Sequence, residues 1–134
     1  MTALHNLHIL IAEDDPDDAR VVKQCFIKNN HFAKIEMVTN GKELLDYLKA
    51  GQKPDIILTD INMPIVDGIE ALQEIFEDDD LKRIPCFVYS TSINPVYEAK
   101  CHKLGVKGYL TKPYTLSDFD NIPVEILQTL SHAG

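Results

Sequence analysis

Short apolar runs alternate with longer amphipathic segments along this chain. The runs are Leu7–Ala12, Ala33–Val38, Asp55–Thr59, Pro85–Tyr89 and Lys107–Leu110. Ile56-Ile57-Leu58 and Phe87-Val88-Tyr89 are nearly unbroken apolar stretches, the pattern of strands covered on both faces. Between the runs lie segments with helical start signals. Asp15 before Pro16 predicts an N-cap followed by proline in the first turn, with Asp17 and Asp18 favourably placed beside the helix N-terminus. Asn40 with Glu43, and Asp67 with Glu70, have the spacing of a capping box. Leu44, Leu45 and Leu48 then share one helical face, as do Ile69, Leu72, Ile75 and Phe76. Asn94-Pro95 starts a fourth helix and Gly105 is placed to end it. The last helix carries Ile122, Ile126, Leu127 and Leu130. Pro123 sets its start near Asn121, because a proline deeper inside would break it.

Five strands alternating with five helices through short loops predict an α/β fold, an open parallel sheet with helices on both faces. No linker, repeat or low-complexity stretch divides the 134 residues. They read as a single domain, residues 1–134, with its core from about residue 5 to about residue 132.

Composition narrows the function more than the fold. The chain is 45% hydrophobic and 25% charged, which places it among globular rather than disordered sequences. No apolar run is long enough to cross a bilayer, and Met1 to Leu10 lack the basic start and small-residue cleavage pattern of a secretion signal. The expected location is cytoplasmic, with no membrane partner. Cys25, Cys86 and Cys101 form no CxxC pair and read as small apolar fillers in a reducing compartment. The five histidines show no metal-ligand spacing. A net charge of −8 disfavours direct nucleic-acid binding.

In an open parallel sheet, ligands gather at the carboxyl ends of the strands. The residues closing the runs are Glu13 and Asp14 after the first, Asp60 after the third, Ser90 after the fourth and Lys112 after the fifth. Three close carboxylates cannot all stay ionised without a cation. Hard oxygen ligands with room for water suit Mg²⁺ (or Mn²⁺), which also binds phosphate oxygens. A lysine and a serine hydroxyl at the same edge can hold a transferred phosphoryl group. The set therefore fits phosphoryl transfer by positioning and charge neutralisation, with a carboxylate as nucleophile and an aspartyl phosphate as product.

Each residue also has a blander reading. Glu13-Asp14-Asp15 can be an acidic helix start, the role to which Asp15, Asp17 and Asp18 are assigned. Gly68 can be a helix-entry residue, Lys112 before Pro113 a solvated loop lysine, and Tyr109 an aromatic lid that never moves. The run Glu77–Asp80 reads as a solvated helix end. Four strand ends carrying complementary groups favour the joint reading over the separate ones.

These residues resemble the receiver domains of two-component response regulators. The acidic pair stands in "ILIAEDDP". The segment "DINMPIVDG", Asp60 to Gly68, is similar to the family's D-x-x-M-P-x-x-D-G signature, "PCFVYSTS" puts Ser90 at its hydroxyl position, and "GYLTKP" puts Tyr109 and Lys112 at its aromatic and lysine positions. The resemblance covers nearly the whole chain, as in short stand-alone, CheY-like receivers. It implies a flavodoxin-like, doubly wound five-stranded sheet of order 2-1-3-4-5 with five helices. It implies Asp60 as phospho-acceptor and Asp14, Asp60 and the Asn62 carbonyl as metal ligands, with Glu13 acting through water. Lys112 and the Thr91 backbone N–H would contact the phosphoryl group, and the Lys112–Pro113 peptide would be cis. Ser90 and Tyr109 would form the switch, Ser90 moving toward the phosphoryl group and Tyr109 turning inward. The implied partners are a sensor histidine kinase or histidine phosphotransfer protein and a downstream protein, since no output domain is expected. Homodimerisation is left open. Pro123 implies a shorter or displaced final helix than the family usually has, which bears on the partner surface.

Two other functions fit parts of the pattern. A Mg²⁺-dependent phosphatase or phosphotransferase acting on external substrates also uses an aspartyl nucleophile, but Asp60-Ile61-Asn62 lacks the second acid of a D-x-D. A degenerate receiver serving only as a binding module would not need every site position filled.

Overall fold

The structure is a computed structural model that describes residues 4–63, 67–91 and 94–132. Pro64, Ile65 and Val66 inside the "DINMPIVDG" motif, Ser92 and Ile93 beyond "YST", and the two ends of the 1–134 domain lie outside the described residues. The elements run β1 (Leu7–Ala12), α1 (Pro16–Lys28), β2 (Phe32–Val38), α2 (Gly41–Lys49), β3 (Ile56–Asp60), α3 (Gly68–Glu77), β4 (Cys86–Ser90), α4 (Pro95–Leu104), β5 (Gly108–Thr111) and α5 (Asn121–His132), with 3₁₀ turns at Leu81–Arg83 and Ser117–Asp120. All strand pairs are parallel and the order is β2-β1-β3-β4-β5. This is the expected flavodoxin-like topology.

Strand alternation divides the core into two layers. Leu10, Ala12, Ile57 and Val88 point toward α2, α3 and α4, where Leu44, Leu48, Leu72, Ile75 and Cys101 are buried. Ile9, Ile11, Leu58, Phe87 and Tyr89 point toward α1 and α5, onto Val22, Phe26, Ile122 and Ile126. β3 and β4 are buried at every position, which explains why their sequences show unbroken apolar runs.

The start signals act largely as the sequence implies. Asp15 accepts hydrogen bonds from the N–H groups of Asp17 and Asp18, Asn40 from Glu43, and Asp67 from Glu70. Glu43 departs from the simple capping box, reaching the N–H and hydroxyl of Thr39 at 2.7 and 2.8 Å. Gly105 ends α4 at φ 110°, a left-handed conformation that favours glycine. The last helix does begin at Asn121, after a 3₁₀ turn. Pro123 thus stands in the first turn, where its missing N–H has no intrahelical partner to lose. Asp78, expected only as a solvated helix end, caps the turn after α3 by accepting from the N–H groups of Asp80 and Leu81.

Two expectations need correction. β3 and β4 extend one residue further than their apolar runs, so Asp60 and Ser90 are the last strand residues, paired in register with Tyr89 and Thr111. A polar side chain ends the apolar pattern before the backbone ladder ends. The Lys112–Pro113 peptide is trans, as no cis bond occurs among the described residues; trans is the lower-energy state of an X–Pro bond.

Candidate functional site

The carboxyl edge of the sheet collects nearly all the buried polar side chains. Glu13, Thr59, Asp60, Ser90 and Lys112 are buried there, and Asn40 at the start of α2 completes the set among the described residues. The backbone forces their convergence. Glu13 follows β1, its N–H bonded to the Val38 carbonyl at 3.0 Å, and the Lys112 N–H continues the β5 ladder onto the Ser90 carbonyl at 2.7 Å. Beneath Asp60, the Gly68 N–H donates to the Ile61 carbonyl at 2.8 Å. A Cβ at residue 68 would run into the Asp60 carbonyl oxygen. Gly68 is therefore required sterically, which is more than the helix-entry role its position suggested.

Lys112 organises the charges. Its ammonium lies 2.7 Å from Glu13 Oε1, 2.9 Å from Asp60 Oδ2 and 3.1 Å from Asp18 Oδ2. Its position 4.8 Å from the centre of the Tyr89 ring adds a cation–π contact. Burial disfavours the Lys112 ammonium, but the bonds and charges of Glu13 and Asp60 outweigh burial and raise its pKa. Burial also raises the Glu13 carboxyl, while bonds from Lys112 and Tyr89 pull it back. The two rises have different causes: burial wins at Glu13, whereas the paired carboxylates win at Lys112. The reading of Lys112 as a solvated loop lysine is thereby excluded.

Glu13 is fully engaged within the protein. Oε1 accepts from the Tyr89 hydroxyl at 2.5 Å and from Lys112, and Oε2 accepts from the Asp15 N–H at 3.1 Å. Tyr89 keeps its proton because burial, and then the Glu13 charge, push its phenol pKa far up. Asp14 is exposed beside this buried set. One oxygen each from Glu13, Asp14 and Asp60 lie within 4.8 Å of one another. Three hard carboxylate donors, one open to solvent, fit a divalent cation that keeps part of its water shell. Asn62 sits against Asp60, its N–H 3.3 Å from Oδ1.

Ser90 and Tyr109 lie on the other side of the sheet. Tyr109 packs at the edge of the α2–α4 core layer and lines a groove of about 410 Å³ with Pro95, Glu98 and His102. Burial raises its phenol and the Ser90 hydroxyl partly offsets that rise. Yet the Tyr109 hydroxyl is buried with no hydrogen bond of sound geometry among the described residues. Thr91 is exposed directly after Ser90.

Glu13, Asp14, Asp60, Asn62, Ser90, Thr91 and Lys112 stand at or just beyond the strand ends, and Tyr109 is the second residue of β5. Sequence reasoning missed two more, Tyr89 and Asp18. In the sequence Tyr89 reads as part of an apolar run; its place immediately before Ser90, with the parity of Asp60, is the usable signal. Asp18 was assigned to the helix start and carries no sequence mark of its contact with Lys112.

The fold and the acidic edge together define a phosphorelay signalling domain. The chain matches the family of response regulator receiver domains over residues 9–122, and it belongs to that family. Its relatives include the response regulator Rcp1 of Synechocystis, 34% identical over 116 residues, which is 82% of this chain and 79% of that protein. Among solved structures, the phosphorylated cyanobacterial phytochrome response regulator RcpA superposes with a TM-score of 0.87 at 33% identity, covering 97% of this chain and 96% of that one. The Mn²⁺-bound form of Rcp1 gives 0.82 at 32% identity, over 90% and 91%. The chain is thus a signalling domain of the two-component type, whose family interacts with histidine kinases or phosphotransfer proteins. No helix among the described residues is long and apolar enough to cross a membrane.

Proposed function

We propose that Asp60 receives the phosphoryl group through Oδ2, from a phosphohistidine of a sensor kinase or phosphotransfer protein. The P–N bond breaks as a P–O bond to Oδ2 forms, and the leaving imidazole keeps the electron pair and takes a proton from solvent. The observation that carries this reading is the Lys112 ammonium 2.9 Å from Oδ2, a cation already in place beside the oxygens of a phosphoryl group attached there. Ser90 and the Thr91 N–H would take the remaining phosphoryl oxygens. Asp14 and Asp60, with the Asn62 carbonyl, would hold Mg²⁺, and Glu13, its oxygens already engaged, would act through water. That ion would supply charge neutralisation. The same groups serve the domain's own dephosphorylation, so the chain catalyses nothing on external substrates.

The signal leaves through Ser90 and Tyr109, a shift in a two-state equilibrium that alters a partner-binding surface at α4, β5 and α5. The domain works in the cytoplasm as a single folded unit and signals to a partner protein through that surface, with self-association as a further route. The test is phosphotransfer in Mg²⁺ from acetyl phosphate and from a phosphorylated histidine phosphotransfer protein. Wild type takes up one phosphoryl group per chain, and Asp60→Asn takes up none. Uptake by Asp60→Asn equal to wild type would move the acceptor elsewhere, and sustained turnover of an external phosphoester would favour the phosphatase reading.

A further inference from the structure

We infer that Asp18 is a positioning residue, a resting-state counter-anion that occupies the third donor of Lys112 and must release it when Asp60 is phosphorylated. This rests on the reading of Asp60 as phospho-acceptor. An ammonium has three N–H donors. In this structure three carboxylates lie within bonding distance, Glu13 at 2.7 Å, Asp60 at 2.9 Å and Asp18 at 3.1 Å. No donor is spare for a phosphoryl oxygen.

The three partners are not equally replaceable. Glu13 is wholly buried and further held by Tyr89 and the Asp15 N–H. Asp60 carries the incoming group, so its own bond becomes part of the new contact. Asp18 has the longest contact, and its side chain is 31% exposed against 5% for Lys112. It can turn toward water at little desolvation cost, and it gains there from the N-terminus of α1. A phosphoryl group brings a charge of about −1.5 to −2 and three acceptor oxygens to the same ammonium. Repulsion and competition for the donor therefore both act on Asp18. Its carboxylate favours the resting state and opposes the phosphorylated one, which makes it a setting of the switch rather than a part of the chemistry.

Asp17 supplies the control. It stands in the same helical turn and carries the same charge, but its side chain is 84% exposed and pairs with Arg20 instead of Lys112. Asp17→Asn and Asp18→Asn change net charge and helix dipole alike. The two variants and wild type are titrated with beryllofluoride in Mg²⁺, and the Lys112 side-chain resonances are recorded without added metal. In Asp18→Asn the beryllofluoride affinity rises about two- to fivefold, the scale of one partly exposed charge pair. Its Lys112 resonances shift at rest, and Asp17→Asn matches wild type in both measurements. The inference is overturned if Asp18→Asn binds the mimic no more tightly than Asp17→Asn, or more weakly than wild type. Failure of wild type itself to bind beryllofluoride or to take phosphate from acetyl phosphate would instead remove the reading of Asp60, a distinguishable result.

Discussion

On the α1–α5 side of the sheet, Glu13, Asp60, Tyr89 and Lys112 are joined by short bonds, and both oxygens of Glu13 are engaged. On the α2–α4 side, Ser90 ends β4 and Tyr109 lies within β5 in register with Val88, yet the Tyr109 hydroxyl is buried without a hydrogen bond of sound geometry among the described residues while the residue lines an open groove. The period of two along a strand makes this division, since Tyr89 and Ser90 are neighbours in sequence and must point to opposite faces. A bonded cluster resists displacement, whereas a poorly bonded hydroxyl beside a groove has little to lose by moving. On the proposed reading, the domain thus separates a rigid receiving side from a responsive side while keeping the two within one residue of each other on β4.

The largest effect should come from removing the centre of the bonded side. Lys112→Ala leaves Glu13 buried with an uncompensated charge and removes the partner of Asp60. We expect a loss of about 3 kcal/mol or more in denaturant unfolding, together with loss of phosphoryl uptake. A loss below about 1 kcal/mol would mean that the cluster re-pairs without its ammonium, and the claimed rigidity would fail.

The sequence made one side of this comparison more legible than the other. The alternation of strands and helices, the caps at Asp15, Asn40 and Asp67, and the convergence of Glu13, Asp14, Asp60 and Lys112 follow from local patterns, because apolar period and capping chemistry act over a few residues. The strand order is implied only by the resemblance to receiver domains. Asp18 and Tyr89 were not legible in that way. Their partners, Lys112 and Glu13, lie 94 and 76 positions away in the chain. Whether a helix-start aspartate turns toward solvent or toward the sheet is settled by packing, not by propensity. The same limit hid the steric demand on Gly68, which arises from the Asp60 carbonyl across a loop.

The next effect in size tests a single bond on the rigid side. Tyr89→Phe leaves the Glu13 carboxylate short of a donor in a buried site, and should cost about 1–3 kcal/mol at neutral pH. It should also change the response to alkali. Free tyrosine and lysine titrate near 10.0 and 10.5, and both Tyr89 and Lys112 are raised above those values in the fold. Above pH 10 the unfolded chain therefore gives up protons that the folded one retains, so stability is full below that point and falls as pH rises. Without the Tyr89 hydroxyl, the fall measured by unfolding between pH 9 and 11 should be shallower than in wild type. An equal slope would mean that Tyr89 titrates normally and that its bond to Glu13 is weak.

The smallest effect is the most discriminating, because it repeats the same chemical change on the responsive side. Tyr109→Phe removes a hydroxyl that pays for burial without gaining a bond, so stability should change by less than about 0.5 kcal/mol or rise slightly. A clear cost for Tyr89→Phe beside little or no cost for Tyr109→Phe would demonstrate the asymmetry directly. A cost at Tyr109 matching that at Tyr89 would place a real hydrogen bond there, with the Ser90 hydroxyl as the nearest candidate partner, and the contrast would collapse. Phosphoryl uptake by Asp60 should survive in Tyr109→Phe, since no hydrogen bond among the described residues ties the phenol to the charged cluster. What should differ is the readout: in wild type, the Tyr109 ring resonances should shift when beryllofluoride is added in Mg²⁺. An unchanged ring would make Tyr109 a static lid, and the responsive side of the sheet would then have to signal through Ser90 and the start of α4 alone.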